Sequence, residues 1–590
     1  MPEPSVGNPT QTQIGLSEDA QSPRLSPGQR QALSGSIIRR YEQWKRSRQK
    51  LESRWRECWE SYLCDVGSLY AVRDDLEPDR SRICRPILFE AVEAIHTNLL
   101  NAMFPADEKF FSVLGQTEAD HRQAQQIEEF LRNKLDETRF FEKYALFLKQ
   151  AIITGNSVAA VPWRRETQHR RQRIPVQLMG VTVGQQTRWQ EEILYNGPDF
   201  EVIDIFDFLI DPDGGNLDNA AVIRRVTRSL AYLKSTGAYE NLDKLQPLAT
   251  APETDFNKQS RRTAFGIDPS PQGDDSLNND DIELLEYWGD LVVDGTRYDN
   301  HVCVVANQTE IIRFEPNPYH YGKKPFVFTT FIPVPNEVYG IGAIEKSLGL
   351  QHAINTLTNQ KLDVINLSIN NPFTYLINDD VFDPDAIVTR PGALIPVKSH
   401  DTLRPIQYLN NFTVAFNEIA DLKAEVQEAT GALKFFTGGD PRNDTQRTAT
   451  EVSALVSGGT QKFSYFIAHL QKTSLEPYLR WVFEQAKQLL SEPETIRIVN
   501  TDGSLSFETM NPGDLQGCRC QFRIDGSGGH LQKDQEMQSL LGFLRLVMQN
   551  PSVQDQVDIL SLYRKIYRRL GFKDEEQLFL HKDNPPGGAA

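Results

Sequence analysis

A chain of 590 residues is too long for one hydrophobic core, so several domains or sub-domains are expected. A hydrophobic content of 39% supports globular folding, and no apolar run is long enough to span a membrane. The net charge of −17 argues against a general nucleic-acid-coating role while leaving room for contact through a local patch, and six cysteines give no disulfide framework and point to a reducing compartment.

Residues 1–28 are polar and rich in Pro, Ser and Gln; they lack the apolar stretch of a secretory signal and are expected to be disordered. A first helical region is predicted from Arg30 to Cys64, with Tyr41, Trp44, Trp55, Trp59 and Tyr62 set among dense charges. A second helix, "ILFEAVEAIHTNLLNAMFP", is stopped by Pro105, and two more follow in "EADHRQAQQIEEFLRNKLDETR" and "FFEKYALFLKQAIITG". After Gly155 the pattern changes to strands: "SVAAVPW", "RIPVQLMGVTV", "RWQEEILYNG" and "FEVIDIFDFLIDP". The basic run "WRRETQHRRQR", Trp163 to Arg173, reads as a solvated hairpin turn between two strands rather than as a phosphate contact. The polar stretch "ETDFNKQSRRTAFGIDPSPQGDDSLNNDD" reads as a flexible insertion, after which strands return in "IELLEYWGDLVV", "HVCVVANQTEIIRF" and "PFVFTTFIPV".

A long helix is predicted from Ile341 to Asn370, ended by Asn370-Asn371-Pro372 because proline disfavours helical backbone in the residue before it. A short module rich in Asp, Pro and β-branched residues leads to a second helix, Phe412 to Leu433. Its apolar residues Phe412, Phe416, Ile419, Leu422, Val426, Ala429 and Leu433 recur at steps of three and four. The segment "TGGDPRNDTQRTATEV" then belongs to neither neighbouring helix, and a connection of this kind is either functional or disordered. Thr448-Ala449-Thr450-Glu451 is a capping box that opens a helix running to Leu490, with bends expected at Gly458-Gly459 and Pro477. Strands "TIRIVN", "SLSFETM" and "CRCQFRI", a "GSGG" break and a helical region from Leu531 to His581 complete the chain.

Searches for chemistry find little. There is no phosphate-cradling G-x-x-x-x-G-K-[ST], no H-E-x-x-H and no G-x-S-x-G, and "YGIGAIEKS" lacks the third glycine of a dinucleotide fingerprint. "DPDGGNLD", Asp211 to Asp218, departs from a calcium loop and reads as a surface turn. Asp199 and Glu201 lack the lysine that a nuclease would place beside them, so they read as part of an alternating strand. Cys518 and Cys520 share one face of a strand, but without a second Cys/His pair no metal site is expected there. The chain is therefore read as a non-enzyme with no metal and no cofactor.

What rises above background is the order of parts in "NPYHYGKKPFVFTTFIPVPNEVYGIGAIEKSLGLQHAINTLTNQKLD", then "VTRPGALIPV", then "QEATGALKFFTGG" and "QRTATEVSALVSGGTQKFSYFIAHLQKTSLEPYLRWVF". This stretch, Asn317 to Phe483, resembles the portal proteins, or head-to-tail connectors, of short-tailed bacteriophages. The resemblance implies an α+β portal fold: long stem helices and a kinked wing helix, with a β-rich wing and clip and a helical C-terminal crown. On this chain it implies a tail at 1–28, a wing at 29–340 and a first stem helix at 341–371. A clip at 372–411, a second stem helix at 412–436 and a tunnel loop at 437–447 follow, then further wing at 448–530 and a crown at 531–590. It also implies a homo-oligomeric ring, usually of twelve subunits, at one capsid vertex, assembled in the host cytoplasm. Double-stranded DNA would pass transiently through the channel, with terminase and a tail adaptor docked on the clip, capsid and scaffold proteins around it, and no membrane. The tunnel loop would present Thr437, Asp440, Arg442, Asn443, Asp444 and Arg447 to DNA, and the clip would offer Asp379, Asp380, Asp383, Arg390 and Lys398 to partners. A soluble phage hydrolase or nuclease, or another virion ring or adaptor protein, are the alternatives.

On the helix from Phe412, Glu418, Asp421, Glu425 and Glu428 fall within an arc of about 80° beside the apolar face. In a ring this stripe is expected to line the channel. Lys423 lies near the edge of the apolar arc, where pairing across subunits is expected of it.

Overall fold

The computed structural model describes residues 25–65, 80–104, 110–115, 117–178, 181–246, 256–266, 281–369, 373–375, 403–405, 412–430, 464–499, 505–524 and 544. The chain begins with α1 (Pro27–Leu63) and α2 (Ile87–Met103), then β1 (Phe111–Gly115), α3 (Glu118–Glu137) and α4 (Phe140–Thr154). Strands β2 (Asn156–Ala160), β3 (Trp163–Leu178), β4 (Val181–Pro198), β5 (Glu201–Ile203), β6 (Phe208–Ile210) and β7 (Val222–Ser229) follow. Helices α5 (Leu230–Thr236) and α6 (Phe256–Ala264) precede β8 (Asp281–Val293), β9 (Thr296–Ala306), β10 (Glu310–Pro316) and β11 (Phe326–Thr330). Then come α7 (Leu348–Ile369), β12 (Phe373–Tyr375), β13 (Leu403–Pro405), α8 (Phe412–Thr430) and α9 (Glu476–Leu489). Strands β14 (Glu494–Val499) and β15 (Leu505–Met510), helix α10 (Pro512–Gln516) and β16 (Cys520–Ile524) end the described elements. They belong to two compact units: Met1–His96 with Lys134–Thr445 and Glu484–Leu490, and Thr97–Asn133 with Gln446–Phe483 and Ser491–Ala590.

The first unit is built on a five-stranded antiparallel sheet of order β10-β9-β8-β7-β6. Helix α1 starts on a capping box between Ser26 and Gln29 with Pro27 at its first turn, where a missing N–H costs nothing. Leu33, Ile37, Tyr41 and Trp44, at steps of four, four and three, form one stripe of α1 packed on Ile223, Leu285, Tyr287, Val305 and Ile311 of the sheet. Farther along the same stripe, Arg48 and Glu52 form a buried pair 2.9 Å apart, and Arg48 also donates to the carbonyls of Phe206 and Phe208 at the sheet's β6 edge.

A second sheet, β11-β2-β5, carries α4. Phe140, Tyr144 and Phe147 surround Phe200, and the buried Gln150 donates to the Ile203 carbonyl at 3.0 Å. Gly155 ends α4 at φ +81°, and a side chain there would meet the Ile341 carbonyl carbon at 2.4 Å. Asn156 fastens the crossing by accepting from the Gly340 N–H at 2.7 Å and donating to the Gly340 carbonyl at 3.2 Å. The glycines of "YGIG" thus serve a close passage of two backbones.

Two expectations change here. Trp163–Arg173 is not a turn: it lies inside β3, which pairs with β4 from Trp163↔Pro198 to Leu178↔Val181 in one long antiparallel arm. The polar insertion also contains a helix, α6, anchored on Asp204 by both guanidinium nitrogens of Arg261, at 3.1 and 2.6 Å. Arg261 covers the rings of Trp59 and Phe206, and Ser260 donates to Glu60 at 2.7 Å.

In the second unit β1 pairs antiparallel with β16, and β14 with β15. Glu128 of α3 accepts from the Val113 N–H at 3.1 Å and from Arg132 at 3.1 Å, and Phe483 meets Phe522 edge-on. Residues 464–470 are helical and run through a π-helical turn, Gln471–Leu475, into α9. Pro477 explains the turn, because its ring has no N–H and crowds the carbonyl four residues back. The π-helical turn stands beside Pro477, where a bend is expected; Gly458-Gly459 and the Thr448 capping box lie outside the described residues.

Candidate functional site

Residues 340–344 cross against Gly155, and a tight turn at Glu345–Ser347 precedes α7. The helix therefore starts at Leu348 and not at Ile341, since the close crossing holds the intervening backbone out of helical form. It packs on α8, which returns antiparallel to it. The chain leaves through β12 and comes back through β13, which pair as a short ladder, Phe373↔Pro405, Thr374↔Arg404 and Tyr375↔Leu403. Lys361 sits over the Phe416 ring at 4.1 Å. Ile419 and Val426 are buried, whereas Ala429 is exposed and Phe416 is 53% exposed, so the α8 apolar face is narrower than its spacing predicts.

A feature that spacing alone did not reveal lies on α7. Gln351, Asn355, Asn359 and Asp363, each four residues after the last, face an extended strap at residues 80–86. Asp363 accepts from the Ser81 N–H at 2.7 Å, Asn359 from Ile83 at 2.8 Å and Asn355 from Arg85 at 3.0 Å. Asn359 donates back to the Ile83 carbonyl at 3.1 Å, and Gln351 donates to the Arg85 carbonyl at 2.6 Å. Four helical residues rise about 6 Å and two extended residues about 6.6 Å, so every fourth side chain meets every second amide. The helix face acts as a sheet edge for the strap. The signal was present in "QHAINTLTNQKLD" as amides at steps of four; what the spacing lacked was the partner, more than 260 residues earlier in the chain.

Glu418, Asp421, Glu425 and Glu428 are all exposed on α8. Lys423 lies 3.6 Å from Glu90 of α2 within its own chain. The proposed DNA-contacting residues Thr437, Asp440, Arg442, Asn443, Asp444 and Arg447 lie outside the described residues. So do Asp379, Asp380, Asp383, Arg390 and Lys398, and the helical region expected from Leu531 to His581 apart from Leu544, which is helical. In the β3–β4 arm, Arg164 pairs with Asp199 and Glu166, each at 3.2 Å, Arg170 lies 3.4 Å from Glu192, and Arg171 covers Trp189. The basic run is thus countered in part by acids of its own fold. Asp199 also pairs with Lys143, and Glu201 with Arg224 at 2.8 Å, which makes both carboxylates structural ion-pair partners. Among the described residues no group of three His, Cys, Asp or Glu side chains could hold a metal ion, and no helix is long and apolar enough to cross a membrane.

The family model of the phage SU10 portal protein matches residues 180–588. The chain belongs to this portal family. The match takes in both helices of the α7–α8 pair, the module between them, the polar connection after α8 and the whole C-terminal part. The α+β fold is the portal fold, and the protein is a phage portal protein, a member of a structural class of virion components rather than of an enzyme class.

Proposed function

We propose that the chain closes into a ring, of twelve copies on the usual pattern of portal proteins, at one capsid vertex, and that double-stranded DNA is packaged and ejected through it. In this reading α7 and α8 are the stem, 372–411 is the clip that docks terminase and a tail adaptor, and 437–447 is the tunnel loop. The wing comprises 29–340 and 448–530, and 531–590 is the crown.

The observation that carries the reading is the surface of the helix pair. Leu367 (38% exposed), Ile369 (72%) and Phe416 (53%) lie toward the β12–β13 end, where the pair has no further cover among the described residues. Neighbouring copies would remove this apolar surface from water, while the four exposed acids of α8 turn toward the channel. Duplex DNA carries one negative charge per about 1.7 Å of axis, so a wall of cations would hold it fast. An acidic wall within the screening length of about 8 Å repels it weakly and keeps it centred.

The test replaces Glu418, Asp421, Glu425 and Glu428 by Gln or Asn and follows packaging rate and DNA retention against salt. Intact rings with altered, more salt-sensitive transport are expected. Unchanged transport at all salt concentrations would remove the acids from the channel wall.

A further inference from the structure

Strands β3 and β4 form a sheet of two strands, paired from Trp163↔Pro198 to Leu178↔Val181. The base of this arm is fastened to the fold: Trp163 and Tyr195 are buried, the Trp163 indole N–H donates to Asn196 at 2.9 Å, and Arg164 pairs with Asp199 at 3.2 Å. Farther out, Gln168, Arg170, Arg171, Trp189 and Glu192 are exposed. From Gln168 to Leu178 the ribbon reaches about 34 Å at the ordinary strand rise. A two-stranded ribbon is only marginally stable in water, and each of its strands offers an open edge to a partner.

The arm divides in two by charge. Its stalk carries Arg170, Arg171, Arg173 and Arg188, and charges of this kind guard an open edge. Its far end has none: no charged residue occurs from Ile174 to Thr187, and Ile174, Val176, Leu178, Val181 and Val183 make this end apolar. Arg173↔Thr187 and Gln172↔Arg188 are successive pairs in the register, so an arginine bounds the uncharged end on each strand. An apolar end behind a collar of cations matches a protein surface with an apolar centre and an acidic rim. Contact with DNA phosphates would need the cations at the far end, and on the stalk Arg164 and Arg170 are already countered by Glu166 and Glu192.

Charge also selects the occupant. Six arginines and three glutamates give residues 163–198 a charge of +3, which leaves −20 on the rest of a chain whose total is −17. A second copy of the chain therefore presents the acidic surface that such an arm attracts. We propose that the uncharged end of the β3–β4 arm docks on an adjacent copy of this chain, with the arginine collar set against that copy's acids. The inference rests on the reading that copies assemble, but neither on their number nor on closure into a ring.

The experiment places a photo-crosslinking benzoylphenylalanine at Leu178 of the full-length chain and mixes isotope-labelled with unlabelled copies. Cross-links from position 178 that join labelled to unlabelled peptides are expected. Val176→Asp with Val183→Asp should abolish them and raise the concentration at which assemblies dissociate by about tenfold or more. Melting of the dilute variant at the parent temperature would show that the fold is kept. Cross-links confined to one copy, cross-linking only to added duplex DNA, or assembly of the double variant at the parent concentration would overturn the proposal. Closed rings without cross-links between copies would sink the docking of the arm alone, whereas such cross-links in open assemblies would sink the ring alone.

Discussion

Arg48 shows how one side chain can fix several elements at once. Burial opposes its charge, but Tyr339 and Glu52 more than compensate and hold the guanidinium above the usual arginine range, so it stays ionised at every accessible pH. It joins α1 to the carbonyls of Phe206 and Phe208 and lies over the Trp55 ring at 5.2 Å. Arg48→Met is expected to cost about 3–5 kcal/mol, because the Glu52 carboxylate would stay buried without its ion pair; changing both residues to Met should recover much of that loss. Chemical denaturation of the two variants checks the order, and a double variant no better than the single one would contradict it. His96 gives a pH test. It is 8% exposed, its Nε2–H donates to the Ala145 carbonyl at 2.9 Å, and burial holds it below the usual histidine range, with Lys149 acting the same way and Ala145 and Glu93 opposing. The unfolded chain then binds the extra proton more readily. Stability is full above the ordinary histidine pKa of about 6.5 and falls as pH drops from there toward the folded value. Melting temperatures measured between pH 8 and 5.5 should fall less for His96→Gln than for the unaltered chain; equal slopes would show that His96 stays neutral in neither state.

At the scale of elements, the strap ladder makes the clearest prediction. Asn359→Leu removes the side chain that the Ile83 N–H and carbonyl share; the strap is partly exposed there, so a net loss of about 0.5–1.5 kcal/mol for each hydrogen bond is expected. Hydrogen exchange at Ser81, Ile83 and Arg85 should accelerate while the five-stranded sheet stays protected; unchanged exchange would mean that the strap is held by something other than α7. The ladder also marks where the sequence was legible. Apolar residues at steps of three and four announced α8, which buries Ile419 and Val426 on one face. The first part of β3, read as a turn, and helix α6 escaped for a physical reason. In the arm β3 pairs only with β4, and Gln168, Arg170, Arg171 and Trp189 are exposed, so no alternating apolar pattern marks this stretch. Helix α6 docks through Ser260 and Arg261, by ion pair and cation–π contact, and so lacks an apolar stripe as well. The late start of α7 came from glycines whose role is to let Gly155 and residues 340–342 touch, a contact that local spacing cannot encode.

At the scale of the whole molecule, family membership gives a phage portal protein, and the proposed stem role of α7 and α8 would give the site a geometry completed only by neighbouring copies. The two readings meet in a single surface: apolar side chains at one end of the helix pair and four acids along α8. A closed assembly has a use for both, one at the contact between copies and the other at the channel wall, whereas a monomer has a use for neither. Electron microscopy of the purified full-length chain tests this most directly. The account predicts closed rings with α7 and α8 around the central opening and Glu418, Asp421, Glu425 and Glu428 turned into it. Monomers or open filaments at high concentration, or rings carrying those four acids on the outer surface, would contradict it.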